Sequence, residues 1–75
     1  MKTTNVGKII KQLRESKRLS QEVLSGLSDI DRSHLSKIEL GIHCPSITIL
    51  YKLADALEMK ASDILRAVEE ENIEI

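Results

Sequence analysis

Apolar positions recur with helical spacing in five stretches of this 75-residue chain, and most stretches carry their own boundary signals. Val6, Ile9, Ile10 and Leu13 fall at i, i+3, i+4 and i+7, the stripe that one face of a helix buries, and predict a helix ending near Ser16 or Lys17. Thr4 or Asn5 is its cap, with Met1 to Thr3 a short arm before it; Gly7 falls in its first turn, where it is tolerated. Lys8, Lys11 and Lys17 lie on more exposed faces. Between Leu19 and Gly41 the run LSQEVLSGLSDIDRSHLSKIELG splits into two short helices, Gln21 to about Ser28 and Arg32 to about Leu40. Ser20 and Asp31 are their caps, and Leu19 with Leu24, and Ile30 with Leu35, have the offsets of hydrophobic staples. Gly41 offers a left-handed stop. Leu50, Leu53, Ala54 and Leu57 then keep the helical period behind a cap at Ser46, with Pro45 just outside. A last helix from about Ala61 to Glu71 carries Ile64, Leu65 and Val68, with Ser62 as its cap. Residues 72–75, NIEI, are too short for a strand and read as a frayed tail whose Ile73 and Ile75 are free to pack on a partner.

The second short helix has two unlike sides. At about 100° per residue from Arg32, the residues Ser36, Leu40, Ser33 and Lys37 fall at roughly 40°, 80°, 100° and 140°, whereas Leu35 and Ile38 fall at roughly 300° and 240°. The aliphatic side is free to pack while Arg32, Ser33 and Lys37 face outward. Such a face has two uses: it is solvated, or it reads base edges in a DNA groove.

Composition supports an all-helical core. With no Trp or Phe and a single Tyr51, the interior must be built from Leu, Ile, Val and Ala, and 75 residues allow one domain, residues 1–75. The net charge of −1 argues against a polyanionic partner until its distribution is considered. Residues 1–20 hold six Lys or Arg and one acid, Glu15, whereas residues 51–75 hold three basic residues and seven acids. The chain is therefore polarised, with a basic start and an acidic end that could face away from DNA.

Several classes are excluded. The lone Cys44 has no disulfide partner, and neither a secretion signal nor an apolar run of about 18–20 residues is present, so the expected protein is cytoplasmic, with no membrane partner. His43 and Cys44 are adjacent ligand types, but only His34 could join them, so no metal is expected. Asp31, Ser33 and His34 are sequence neighbours whose side chains diverge, and no glycine-rich phosphate loop occurs; neither an enzyme, a cofactor nor a small-molecule effector is predicted.

The segments LSQEVLS (19–25) and IDRSHLSKIELG (30–41) resemble the helix-turn-helix of the phage repressor and Cro type (the XRE family), whose members run LSQEELA, a short turn, then a segment like VSRSTISRIERG. VGKIIKQLRESK before them resembles the family's first helix, and CPSITILYKLADALEM after them the fourth, so the likeness covers Val6 to Leu65. It implies an all-α, compact five-helix lambda-repressor-like domain with the helix-turn-helix at 20–40, acting on double-stranded DNA. By the same resemblance Arg32, Ser33 and Lys37 match base-reading positions, and Gln21, Ser36, His43, Ser46 and Thr48 are phosphate contacts. Arg14 and Glu39 match a structural ion pair, and the end carrying Ile64, Leu65 and Val68 matches the contact of a homodimer. His34 is a flank residue touching the DNA backbone or nothing. The chain departs from the family at Val23, Ser25, Gly26 and Asp29, and Lys60 stands where a capping Ser is common.

The function expected is sequence-specific transcriptional regulation by a homodimer on a pseudo-palindromic operator, in the manner of small repressors or restriction-modification controller proteins. The alternative, from another class, is an antitoxin or protein-binding adaptor that uses Leu40, Ile42 and the acidic C-terminal segment to hold another protein.

Overall fold

The computed structural model describes residues 3–71, with side chains from Val6 onward, so the reading of residues 72–75 as a tail lies outside the described residues. Five helices follow one another: α1 (Thr3–Ser16), α2 (Gln21–Ser28), α3 (Arg32–Glu39), α4 (Ile47–Ala56) and α5 (Ala61–Glu71). All regular structure among the described residues is helical, and none of these helices is long and apolar enough to cross a membrane.

Capping explains most of the boundaries. Ser20 and Ser46 stand in extended backbone ahead of α2 and α4, and their hydroxyls accept hydrogen bonds from Val23 N at 3.1 Å and Ile49 N at 3.2 Å. Three other starts differ from the sequence reading. Asp31 stands at the cap position with extended backbone, but its carboxylate makes no capping hydrogen bond. α5 is started by Lys60 rather than Ser62: the Lys60 N–H donates to Asp63 Oδ2 at 3.1 Å, half of a capping box, and Ser62 lies inside the helix. α1 is already helical at Thr3, so Thr4 and Asn5 lie inside it and not at its cap.

The first four helices end in the same way. Arg18 (φ 58°), Asp29 (φ 59°), Gly41 (φ 82°) and Glu58 (φ 58°) are left-handed. In each case the following amide bonds back five residues: Leu19 N to Arg14 O at 3.1 Å, Ile30 N to Ser25 O at 3.0 Å, Ile42 N to Lys37 O at 2.9 Å and Met59 N to Ala54 O at 2.9 Å. These are Schellman motifs, which satisfy terminal carbonyls and reverse the chain sharply. Only one of the four uses glycine.

α1 packs on α3 and α5, α2 on α3 and α4, and α4 on α5. Ile10, Leu24, Leu35, Ile38, Leu53, Leu57, Ile64 and Val68 are fully buried at the centre. Ile64 and Val68 therefore cannot be dimer contacts: both have 0% exposure within one chain, because α5 turns its apolar stripe onto α1 and α4. Leu65, half-buried, keeps surface to offer. Gly7 is more than tolerated. A Cβ there would overlap the backbone of Ile38 and Glu39, so α1 and α3 approach as closely as they do only because the side chain is missing.

Candidate nucleic-acid interface

The position of α3 follows from what lies beneath it. Leu35 and Ile38 have 0% exposure, so the opposite side of the helix must face solvent, and Arg32, Ser33 and Lys37 are all exposed there. The tight turn through left-handed Asp29 sets α3 against α2, and the left-handed Gly41 sends the chain away from the end of α3 into the loop before α4.

An ion pair locks this unit to α1. Arg14 donates from Nε to Glu39 Oε2 at 2.8 Å and from Nη2 to Glu39 Oε1 at 3.0 Å, a two-pronged contact between buried groups. Arg14 Nη1 also donates to the carbonyl of Leu19 at 2.8 Å, just ahead of α2. Hydrogen bonding to Glu39 raises the Arg14 pKa above its ordinary value, against the opposing cost of burial, and the guanidinium stays charged. The fourth member is Gln21, whose Nε2 donates to Glu39 Oε1 at 2.9 Å. Glu39 thus ties together α1, the first residue of α2 and the last residue of α3. The carboxamide link to Gln21 had no signal in the sequence, since residues 18 apart are joined only by the packing of α2 on α3.

Two shallow clefts flank the outward face of α3. Gln21, Arg32, Ser33 and Ser36 line one of about 270 Å³. Ser33, His34, Lys37, His43 and Cys44 line another of about 260 Å³. Ser33 is common to both. The sequence reading of His34 as a bare flank residue misses its partner: its ring meets that of His43 edge to face, with centroids 6.0 Å apart and planes at 84°. Ser46 and Thr48 are exposed at the start of α4 but line neither cleft, and the Ser46 hydroxyl is engaged in capping. No group of three or more His, Cys, Asp or Glu among the described residues is placed to hold a metal ion.

Several large apolar side chains are exposed. Leu40 and Ile42 follow α3 and are 70% and 63% exposed. Tyr51, 63% exposed, lines a groove at the α4–α5 junction with Met59 and Ala61, and Leu65 follows one turn later on α5.

The helix-turn-helix family model matches residues 10–64 of this chain. The HTH-type transcriptional regulator SlrR of Bacillus subtilis is 36% identical over 63 residues; the alignment covers 83% of this chain but 41% of that protein, so the chain spans under half the length of this relative. A further HTH-type transcriptional regulator, y4dJ of Sinorhizobium fredii, is 32% identical over 65 residues, with 87% of this chain and 84% of that protein covered. Among solved structures, the restriction-modification controller protein C.AhdI of Aeromonas hydrophila superposes with a TM-score of 0.80 at 35% identity, over 83% of this chain and 94% of that one.

Proposed function

Because the chain belongs to the helix-turn-helix family of XRE-type transcriptional regulators, we propose that it regulates transcription as a homodimer bound to a pseudo-palindromic operator, with α3 of each copy in the major groove. The observation that carries this reading is the joint exposure of Arg32, Ser33 and Lys37 on a helix whose other side is fully buried. A rigid seat is what base reading requires, since a displaced helix loses its hydrogen bonds to base edges. Arg32 has the fork geometry for guanine O6 and N7, Lys37 donates to guanine acceptors or a phosphate, and Ser33 contributes between them. Gln21, Ser36, His43, Ser46 and Thr48 position the domain on phosphates without specifying bases. Gln21 is well suited to this: its carboxamide is held by Glu39 at the first residue of α2, where helix N-terminal amides add further donors.

Twofold pairing falls to the α4–α5 junction, where Tyr51, Met59 and Leu65 offer apolar surface, and half-sites then lie about one helical turn apart, roughly 34–36 Å. Controller proteins of restriction-modification systems are the subclass that the likeness to C.AhdI favours.

The exposure of Leu40 and Ile42 supports a second reading, capture of another protein by an antitoxin-like or adaptor surface. Selection of binding sites from a random oligonucleotide pool separates the two. Enrichment of an inverted repeat supports the operator reading. Failure to enrich any sequence at moderate salt contradicts it.

A further inference from the structure

The chain has two histidines, His34 on α3 and His43 in the loop after it, and the fold brings both into one cleft. Their rings stand edge to face at 6.0 Å. Lys37 from α3 lines the same cleft, with Ser33 on the α3 side and Cys44 on the loop side, and no carboxylate is among the lining residues. Histidine is the side chain whose charge ordinarily changes between about pH 5 and pH 8. All of the histidine in this protein therefore sits beside the residues assigned to base reading.

From this placement we infer that the cleft is a phosphodiester clamp whose grip requires protons: His34 and His43 take up charge when a DNA phosphate enters between them and Lys37, so that operator affinity rises as pH falls. The inference rests on the DNA-binding reading above and adds its regulation. Lys37 reaches the cleft beside the two rings, and no carboxylate lines it among the described residues. A phosphate entering it favours the charged rings, because each imidazolium adjacent to it donates a charge-assisted hydrogen bond. The proton comes from solvent and stays on the ring; no covalent bond is made. The sign follows by linkage. The DNA-bound form binds more protons than the free form, so lowering the pH favours the complex.

The test uses the duplex recovered by selection, with binding measured by fluorescence anisotropy at one fixed ionic strength, at about pH 6 and about pH 8. Wild type is expected to bind about tenfold tighter at the lower pH, the effect of roughly one pKa unit of differential protonation. His34→Gln and His43→Gln should each lose part of that gain. The double variant should bind with the same affinity at both pH values, no tighter than wild type at the higher one, while its melting curve stays that of the folded protein. Tight binding by wild type with no pH dependence would overturn the clamp and leave DNA reading intact. A pH dependence that survives in the double variant would overturn it as well, by placing the proton elsewhere. If no duplex is recovered at either pH, the DNA-binding reading fails and the clamp fails with it.

Discussion

The carbonyl of Ile38 on α3 occupies the space that a side chain on Gly7 of α1 would need. The helix proposed to read DNA is thus seated directly against the backbone of α1, and its depth is set by one missing methyl group. Gly7→Ala should push the two helices apart and cost about 1–3 kcal/mol, the range for overpacking a filled interior. Gly26 provides the internal contrast. Nothing lies within 4 Å of where its Cβ would stand, and it sits in the middle of α2, so Gly26→Ala should stabilise by about 0.5–1 kcal/mol. Urea unfolding midpoints of the two variants should move in opposite directions.

The left-handed helix stops predict a second set of stability changes. Arg18, Asp29 and Glu58 adopt a conformation that costs an ordinary L-residue roughly 1–2 kcal/mol and costs glycine little. Glycine also gains freedom in the unfolded chain, which returns part of that benefit. Glu58→Gly should therefore raise the melting temperature, and Asp29→Gly should raise it less, because Asp is among the residues that visit this region more readily. Differential scanning calorimetry of both variants checks the direction and the order.

Removing Arg14 should damage the fold before it damages recognition. Arg14→Ala leaves the Glu39 carboxylate, which has 2% side-chain exposure, with the Gln21 carboxamide but without its cation, and breaking one side of such a pair costs about 3–5 kcal/mol. That is a large share of the roughly 0.05–0.15 kcal/mol per residue available to a domain of this size. The raised Arg14 pKa fixes the pH behaviour. A cation whose folded pKa lies above its unfolded value stabilises fully below the unfolded value and loses that contribution only as pH rises through the folded one, far into the alkaline range. The loss caused by Arg14→Ala should accordingly be constant from neutral to moderately alkaline pH, as chemical unfolding at several pH values would report.

Neighbouring residues of α5 should separate folding from self-association. Leu65→Glu alters a half-buried side chain at the α4–α5 junction, and the proposed dimer should dissociate in sedimentation equilibrium while its helical content remains. Ile64→Ala instead empties part of the core and should lower stability by about 2–5 kcal/mol.

The helical framework was legible in the sequence because its signals are local. Ser20, Ser46 and Gly41 act on amides and carbonyls within five residues, and the stripe of Val6, Ile9 and Ile10 fixes which side of α1 is buried whatever it packs against. The outward face of α3 could be read for the same reason. What depends on tertiary approach could not. Periodicity marks Ile64 and Val68 as apolar without saying that α1 and α4, not a second copy, cover them. Nothing near Gly7 in the chain announces Ile38, 31 positions away, and nothing near His34 announces that the loop returns His43 to its ring. Asp31 takes the cap position expected of it but makes no side-chain cap bond, and Ser62 loses the start of α5 to the carboxylate of Asp63, which receives the Lys60 N–H.

The most direct measurement is the affinity of wild type and Arg32→Ala for a panel of duplexes in which each base pair of the selected half-site is changed in turn, at one fixed salt concentration. If α3 reads bases through Arg32, the substitution should cost about 1–3 kcal/mol on the selected sequence and abolish discrimination at one base-pair position while leaving the other positions ranked as before. A variant that binds more weakly by the same factor on every duplex, with discrimination unchanged at all positions, would show that Arg32 serves only the phosphate backbone and would contradict the account.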